Sequence, residues 1–192
     1  MVLALQGSAQ MVQQKHLLIG LAGGGGYTNV ISNVDTLSTT GLLSSATRFS
    51  FGYALGRRWS LGGHWDRIGS VAHPHNVDRL RFTTYMLEGS FRPIQGERWS
   101  LELTVAGGVT IMALRPKGRL IPYGSQGAVG SVGIRYLRLL NSTFGLHLSL
   151  DHAQAAPQDV KYHDEPLQVL PELPMNVTWH GQRFTGGVFV RF

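Results

Sequence analysis

Residues 99–114 read WSLELTVAGGVTIMAL, and the spacing within this stretch decides the fold. Trp99, Leu101, Leu103, Val105, Val109 and Ile111 occupy odd positions, and Ser100, Glu102, Thr104, Ala106, Gly108 and Thr110 lie between them. A β-strand turns successive side chains to opposite faces, so a period of two makes one face apolar and leaves the other small or polar.

The same alternation recurs along the chain. Residues 16–27 set Leu17, Ile19 and Leu21 on one face, and residues 43–55 set Phe49, Phe51, Tyr53 and Leu55 against Arg48, Ser50 and Gly52. Residues 59–66 place Trp59, Leu61 and Trp65 opposite Ser60, His64 and Asp66, and residues 79–91 place Tyr85, Leu87 and Phe91 opposite Thr84, Glu88 and Ser90. Residues 125–139 separate Val132, Ile134 and Tyr136 from Ser131, Gly133 and Arg135. Residues 144–151 alternate Phe144, Leu146, Leu148 and Leu150 with Gly145, His147, Ser149 and Asp151. Residues 183–192 alternate Phe184, Val188, Val190 and Phe192 with Arg183, Thr185 and Arg191. Eight antiparallel strands are expected.

Composition narrows the setting of those strands. With 43% hydrophobic and only 15% charged residues in 192, one ordered domain is expected and intrinsic disorder is not. No apolar run reaches the roughly 18 residues a transmembrane helix needs, so any membrane crossing falls to strands. The 25 glycines are spread through the apolar segments, which suits sheets better than helices. Cysteine is absent, which excludes disulfides, thiolate metal sites and thiol catalysis. A net charge of +6 suits an anionic partner. Nucleic acid is not expected, because no groove-reading helix or stacking platform is evident. Residues 1–15 read as an N-terminal periplasmic arm. Gly7 and Ala9 resemble the tail of a signal-peptidase site, without a basic n-region or a long apolar core before them.

The connections give the strands a direction. Those at 56–58, 93–98 and 140–143 are short; those at 28–42, 68–78, 115–124 and 152–178 are long, and the last carries Pro157, Pro166, Pro171 and Pro174. Outer-membrane barrels have short periplasmic turns and long outer loops, and an even strand number puts both termini beside the short turns. Tyr53, Trp59, Phe91, Trp99, Tyr136 and Phe192 all lie near that end, as an interfacial aromatic girdle would. The final residues Thr185-Gly186-Gly187-Val188-Phe189-Val190-Arg191-Phe192 resemble the β-signal of outer-membrane proteins, with Thr185, Gly187, Val190 and Phe192 at its matching positions. That resemblance implies recognition by the barrel-assembly machinery. Over residues 16–192 the chain resembles the small eight-stranded barrels of the OmpA transmembrane-domain, OmpX and OmpW type, which implies an all-β, up-and-down transmembrane β-barrel in a bacterial outer membrane.

With apolar faces toward lipid, the interior is expected to hold Arg48, His64, Asp66, Glu88, Arg92, Glu102, Arg135, His147, Asp151 and Arg183. An eight-stranded barrel is just wide enough for its side chains to fill it, so these charges are expected to pair across the interior. His147-Leu148-Ser149 is similar to the His-x-Ser pair of outer-membrane lipid A deacylases, which implies an acidic partner at Asp159 or Glu165. It departs from that family at Leu150, where the motif has Asn, and its alternation points His147 and Ser149 inward. His73, His75, His152 and His163 are possible imidazole ligands, but Pro74 restricts the first pair and no further ligand is fixed nearby, so no metal is expected. Gly23 to Gly26 precede no Lys-Ser/Thr pair, so they form no phosphate loop and are read as thinning one strand.

Arg115, Lys117 and Arg119 form a basic stretch whose natural counter-charge is lipopolysaccharide phosphate. The expected function is an integral outer-membrane barrel that displays loops for adhesion, envelope integrity or association with a larger membrane complex. Lipid, lipopolysaccharide, the assembly machinery and a possible protein are its partners, and no cofactor is expected. A lipid A deacylase, a narrow solute channel and a soluble lipocalin-like binding barrel are the alternatives.

Overall fold

A computed structural model describes residues 16–33, 38–71, 77–116, 123–162, 165–166, 168–170 and 173–192. Eight long strands form the wall: β1 (Leu17–Ser32), β2 (Thr39–Ala54), β3 (Trp59–Ser70), β4 (Val77–Gln95), β5 (Trp99–Pro116), β6 (Tyr123–Leu139), β7 (Phe144–Ala155) and β8 (Asn176–Arg191). Each pairs antiparallel with its neighbour in sequence, and β8 pairs with β1. The sheet is therefore a closed up-and-down barrel, and closure removes the edges on which strands otherwise aggregate.

Register sets the barrel's shape. From Leu18 the cross-strand partners run through Gly52, Gly62, Glu88, Ala106, Ser131, Ala153 and Gly181 and return to β1 at Thr28, ten positions beyond the start. A stagger of that size around eight strands tilts them about 40° from the barrel axis. The aromatics expected at the short-turn end gather there, with Trp59 and Phe91 ring centroids 4.7 Å apart and Trp99 stacked on Tyr136 at 6.2 Å.

The strands are longer than alternation alone suggested. β1 continues past Tyr27 to Ser32, β3 past Asp66 to Ser70 and β7 past Asp151 to Ala155, and β8 begins at Asn176. The cause is a reversal of polarity part-way up the wall. In the lower part Leu21, Phe51, Leu61, Leu87, Leu103, Ile134, Leu148 and Val188 point outward and are exposed. In the upper part Val30, Ile68, Leu80, Phe82, Met112, Leu114, Val129, Val177 and Trp179 point inward and form one buried cluster.

The expected loop at 152–178 is partly sheet. Gln158–Asp159 pairs with the start of β8, and Lys161–Tyr162 pairs with Glu165–Pro166. This segment brings Val160 and Met175 into the upper cluster, where the Val160 amide donates to the Met175 carbonyl at 2.9 Å. A smaller apolar cluster of Ala54, Leu137, Leu139 and Phe189 closes the interior at the short-turn end.

Candidate functional site

Between the two apolar clusters lies a layer of charge. Even-numbered positions of β2, β3, β4 and β5 and odd-numbered positions of β6, β7 and β8 face inward, which carries Arg48, His64, Asp66, Glu88, Arg92, Glu102, Arg135, His147, Asp151 and Arg183 to the barrel axis. Arg48 donates from Nε to Asp66 Oδ1 at 2.7 Å and from Nη1 to Asp151 Oδ2 at 2.8 Å, and Arg183 Nη1 reaches Asp66 Oδ2 at 2.7 Å. A second group joins Arg92 Nε to Glu102 Oε1 at 2.6 Å and Arg135 Nη2 to Glu88 Oε2 at 2.6 Å, with Arg135 Nη1 3.4 Å from Glu102 Oε2. His64 sits between the groups, with Nδ1 3.1 Å from Glu88 Oε2 and Nε2 3.6 Å from Asp66 Oδ2.

Four arginines thus meet four carboxylates, all buried except Arg135, whose side chain keeps 14% of its surface exposed. Each ion alone would face a large desolvation cost, and mutual pairing with shared hydrogen bonds offsets it. The cavities beside the layer measure about 30 and 10 Å³, room for roughly one to three waters. Above the layer the bore is packed with side chains as large as Trp179 and Phe82, whose ring centroids are 5.0 Å apart. The described interior is thus filled in two layers, ion pairs below and packed apolar side chains above.

The deacylase-like residues do not assemble. Ser149 Oγ lies 2.7 Å from Thr185 Oγ1 and donates to Asp151 Oδ2 at 3.2 Å, which leaves it hydrogen-bonded to neighbours other than His147. All four side chains are buried inside the barrel, away from the outer apolar face. Asp159 is exposed at the upper end, paired through its backbone with Asn176, whereas His147 lies low on β7. Glu165 pairs through its backbone with Tyr162. A serine–histidine hydrolase needs the imidazole within hydrogen-bond reach of the hydroxyl, whereas the titratable group that Ser149 contacts is Asp151, a carboxylate already held by Arg48.

The terminal motif lies at the seam that closes the ring. Thr185 and Gly187 turn inward and Val190 and Phe192 outward, while the Phe192 amide donates to the Leu17 carbonyl at 2.9 Å. At Gly187 a Cβ would strike the Leu21 carbonyl and the Ala22 backbone, and at Gly24 it would strike the Phe184 carbonyl. Glycine is needed at both places because β1 and β8 approach closely.

Of the basic stretch, Arg115 ends the wall of β5 opposite Arg79, and Lys117 and Arg119 lie outside the described residues, as do residues 1–15, His73, His75 and His163. His152 and His180 face outward with ring centroids 6.2 Å apart. Among the described residues no group of three or more metal-ligating side chains comes together. Alternation could reveal the inward charges, but it gave no sign of three further outward arginines, Arg67, Arg79 and Arg81, which fall where the polarity reverses.

No protein-family model and no curated protein matches the sequence. Solved structures do match the fold. Neisserial surface protein A aligns over 92% of this chain and 97% of its own at a TM-score of 0.65 and 10% identity. The fold is that of the small eight-stranded outer-membrane barrels. Two other such barrels agree: the outer membrane protein OprG from Pseudomonas aeruginosa, with a TM-score of 0.58, 10% identity and coverage of 96% and 98%, and the attachment invasion locus protein Ail of Yersinia pestis, with 0.50, 12%, 94% and 100%. The shared property of these small outer-membrane barrels is architecture, since identity at this level carries nothing about ligand or activity.

Proposed function

We propose that this chain is an integral outer-membrane barrel that works as a rigid, non-conducting platform. It presents the end opposite its short turns to the exterior, for adhesion, envelope integrity or association with a larger membrane complex. The observation that carries this reading is a filled bore inside an apolar outer wall. A solute channel needs a continuous polar path, whereas here an ion-paired layer is capped by a packed apolar one. A lipocalin-like carrier needs an enclosed apolar chamber, whereas the apolar interior is occupied by its own side chains. The deacylase reading lacks a serine–histidine pair.

The absence of cysteine makes the topology easy to test. Val71→Cys at the upper end and Ser142→Cys in a short turn are to be expressed singly in a Gram-negative host and treated with a membrane-impermeant maleimide. Labelling of Val71→Cys on intact cells, and of Ser142→Cys only after the outer membrane is opened, is the expected result. The opposite pattern, or a product that remains soluble and shows no heat-dependent shift in gel mobility, would overturn the reading.

A further inference from the structure

On the outside of β3 and β4 the apolar wall ends in an aromatic pair, Trp65 and Tyr85, which are direct cross-strand partners, and on β5 it ends one pleat further on at Ile111. Beyond them every charged residue at an outward position is an arginine: Arg67 on β3, Arg81 and Arg79 on β4, and Arg115 on β5. Arg67 stands opposite Thr83, one pleat from Arg81, and Arg79 stands opposite Arg115. Directly opposed side chains start about 5 Å apart, and next neighbours on one strand face about 7 Å apart, so the four guanidinium groups share one patch. Arg81 lies in the positive fields of both Arg67 and Arg79. Among the described residues, no ion pair engages Arg67, Arg79 or Arg81.

Arg67, Arg81 and Arg79, set one pleat apart in turn, repel one another, and an anion among them relieves that repulsion. The patch is also one-sided. At the corresponding outward positions of β7 and β8 the wall carries His152, Gln154, His180 and Gln182. A general band of basic residues at the membrane surface would encircle the barrel, and this one does not.

We propose that these arginines bind the phosphate groups of a phosphorylated glycolipid headgroup in the outer leaflet, of the lipid A type. The placement identifies an amphiphile. The cations lie on the wall itself, continuous below with apolar Leu87 and Val109, so one ligand can rest acyl chains on that surface while its anionic head meets the arginines. Trp65 and Tyr85 mark the level where apolar and polar parts meet. Guanidinium groups suit this head because each can grip a phosphate with two parallel hydrogen bonds. The inference rests on the outer-membrane reading above and assigns that reading a specific lipid contact.

The test uses the full chain refolded in detergent micelles and checked for heat-modifiable mobility. It is titrated separately with bis-phosphorylated lipid A, fully dephosphorylated lipid A, inorganic phosphate and a sulfated oligosaccharide, and binding is followed by tryptophan fluorescence and thermal unfolding. The phosphorylated lipid should bind at least about tenfold more tightly than its dephosphorylated form, as expected for charge-assisted hydrogen bonds, and the advantage should shrink with added salt. Arg79→Gln/Arg81→Gln should lose that advantage while retaining the folded mobility, Arg79→Lys/Arg81→Lys should restore part of it, and Arg57→Gln/Arg58→Gln at the opposite end should keep it whole. Equal binding of the two lipids, an unchanged Arg79→Gln/Arg81→Gln variant, or a preference for inorganic phosphate or the sulfated oligosaccharide would overturn the inference alone. Failure to form a heat-modifiable barrel would overturn it together with the outer-membrane reading.

Discussion

Asp66 shows how much of the interior hangs on single groups. It accepts from Arg48 and Arg183 and lies beside His64, so Asp66→Asn would leave two buried guanidinium groups short of a counter-charge. Removing one member of a buried ion pair costs about 3–5 kcal/mol, and urea unfolding in micelles should show a loss of that order. Ser149→Ala removes a hydrogen bond shared with Thr185 and longer ones to Asp151 and Arg48, which stay paired with each other. It is expected to cost about 1 kcal/mol and to leave the acylation of host lipid A unchanged by mass spectrometry; a gain or loss of acyl chains that depends on Ser149 would revive the hydrolase. The inward charges were legible from alternation, because Arg48, Asp66 and Asp151 all sit on the polar side of their strands. Their pairing was not. Arg48 and Asp151 are 103 positions apart in sequence, and only the closed ring brings them together.

Single strands explain both the success and the shortfall of the sequence reading. β5 was read almost to its end because Val109 and Ile111 keep the apolar side outward until Met112 and Leu114 take over inside. In β3 the change comes at once: Trp65 is the last outward apolar residue before Ile68 turns in, so the strand was ended at Asp66. The same switch separates Phe184 from Trp179 on β8. A reversal of phase imitates a strand end, since both break a period of two. It also hides the outer arginines: Arg67 follows the last outward apolar residue of β3, Arg79 and Arg81 precede the alternation that starts at Tyr85, and Arg115 falls in an expected loop, yet all four are part of the wall. The seam between β1 and β8 gives the matching test. Gly24→Val would drive a side chain into the Phe184 carbonyl and should abolish the heat-modifiable form on gels, whereas Gly23→Ala, whose Cβ meets nothing within 4 Å, should leave it intact.

For the molecule as a whole, the stacked interior predicts electrical silence. In planar bilayers the refolded chain should give no sustained single-channel steps, and regular conductance that disappears with Trp179→Ala or changes with Arg135→Gln would contradict the filled bore. The all-β class, the eight strands and the short-turn end could be read without coordinates, because each is a local pattern repeated. The two-level interior could not, because the inward face changes from charged to apolar part-way along strands whose register only the closed ring fixes. That boundary is tied to the stagger of ten positions, which holds the strands at a fixed slope. A transmembrane helix can lean to fit a thicker bilayer; a closed ring cannot change its slope without breaking register on all eight seams. A barrel of this kind set in a bilayer leaves any thickness mismatch to the lipid, which stretches or thins while the protein keeps its height.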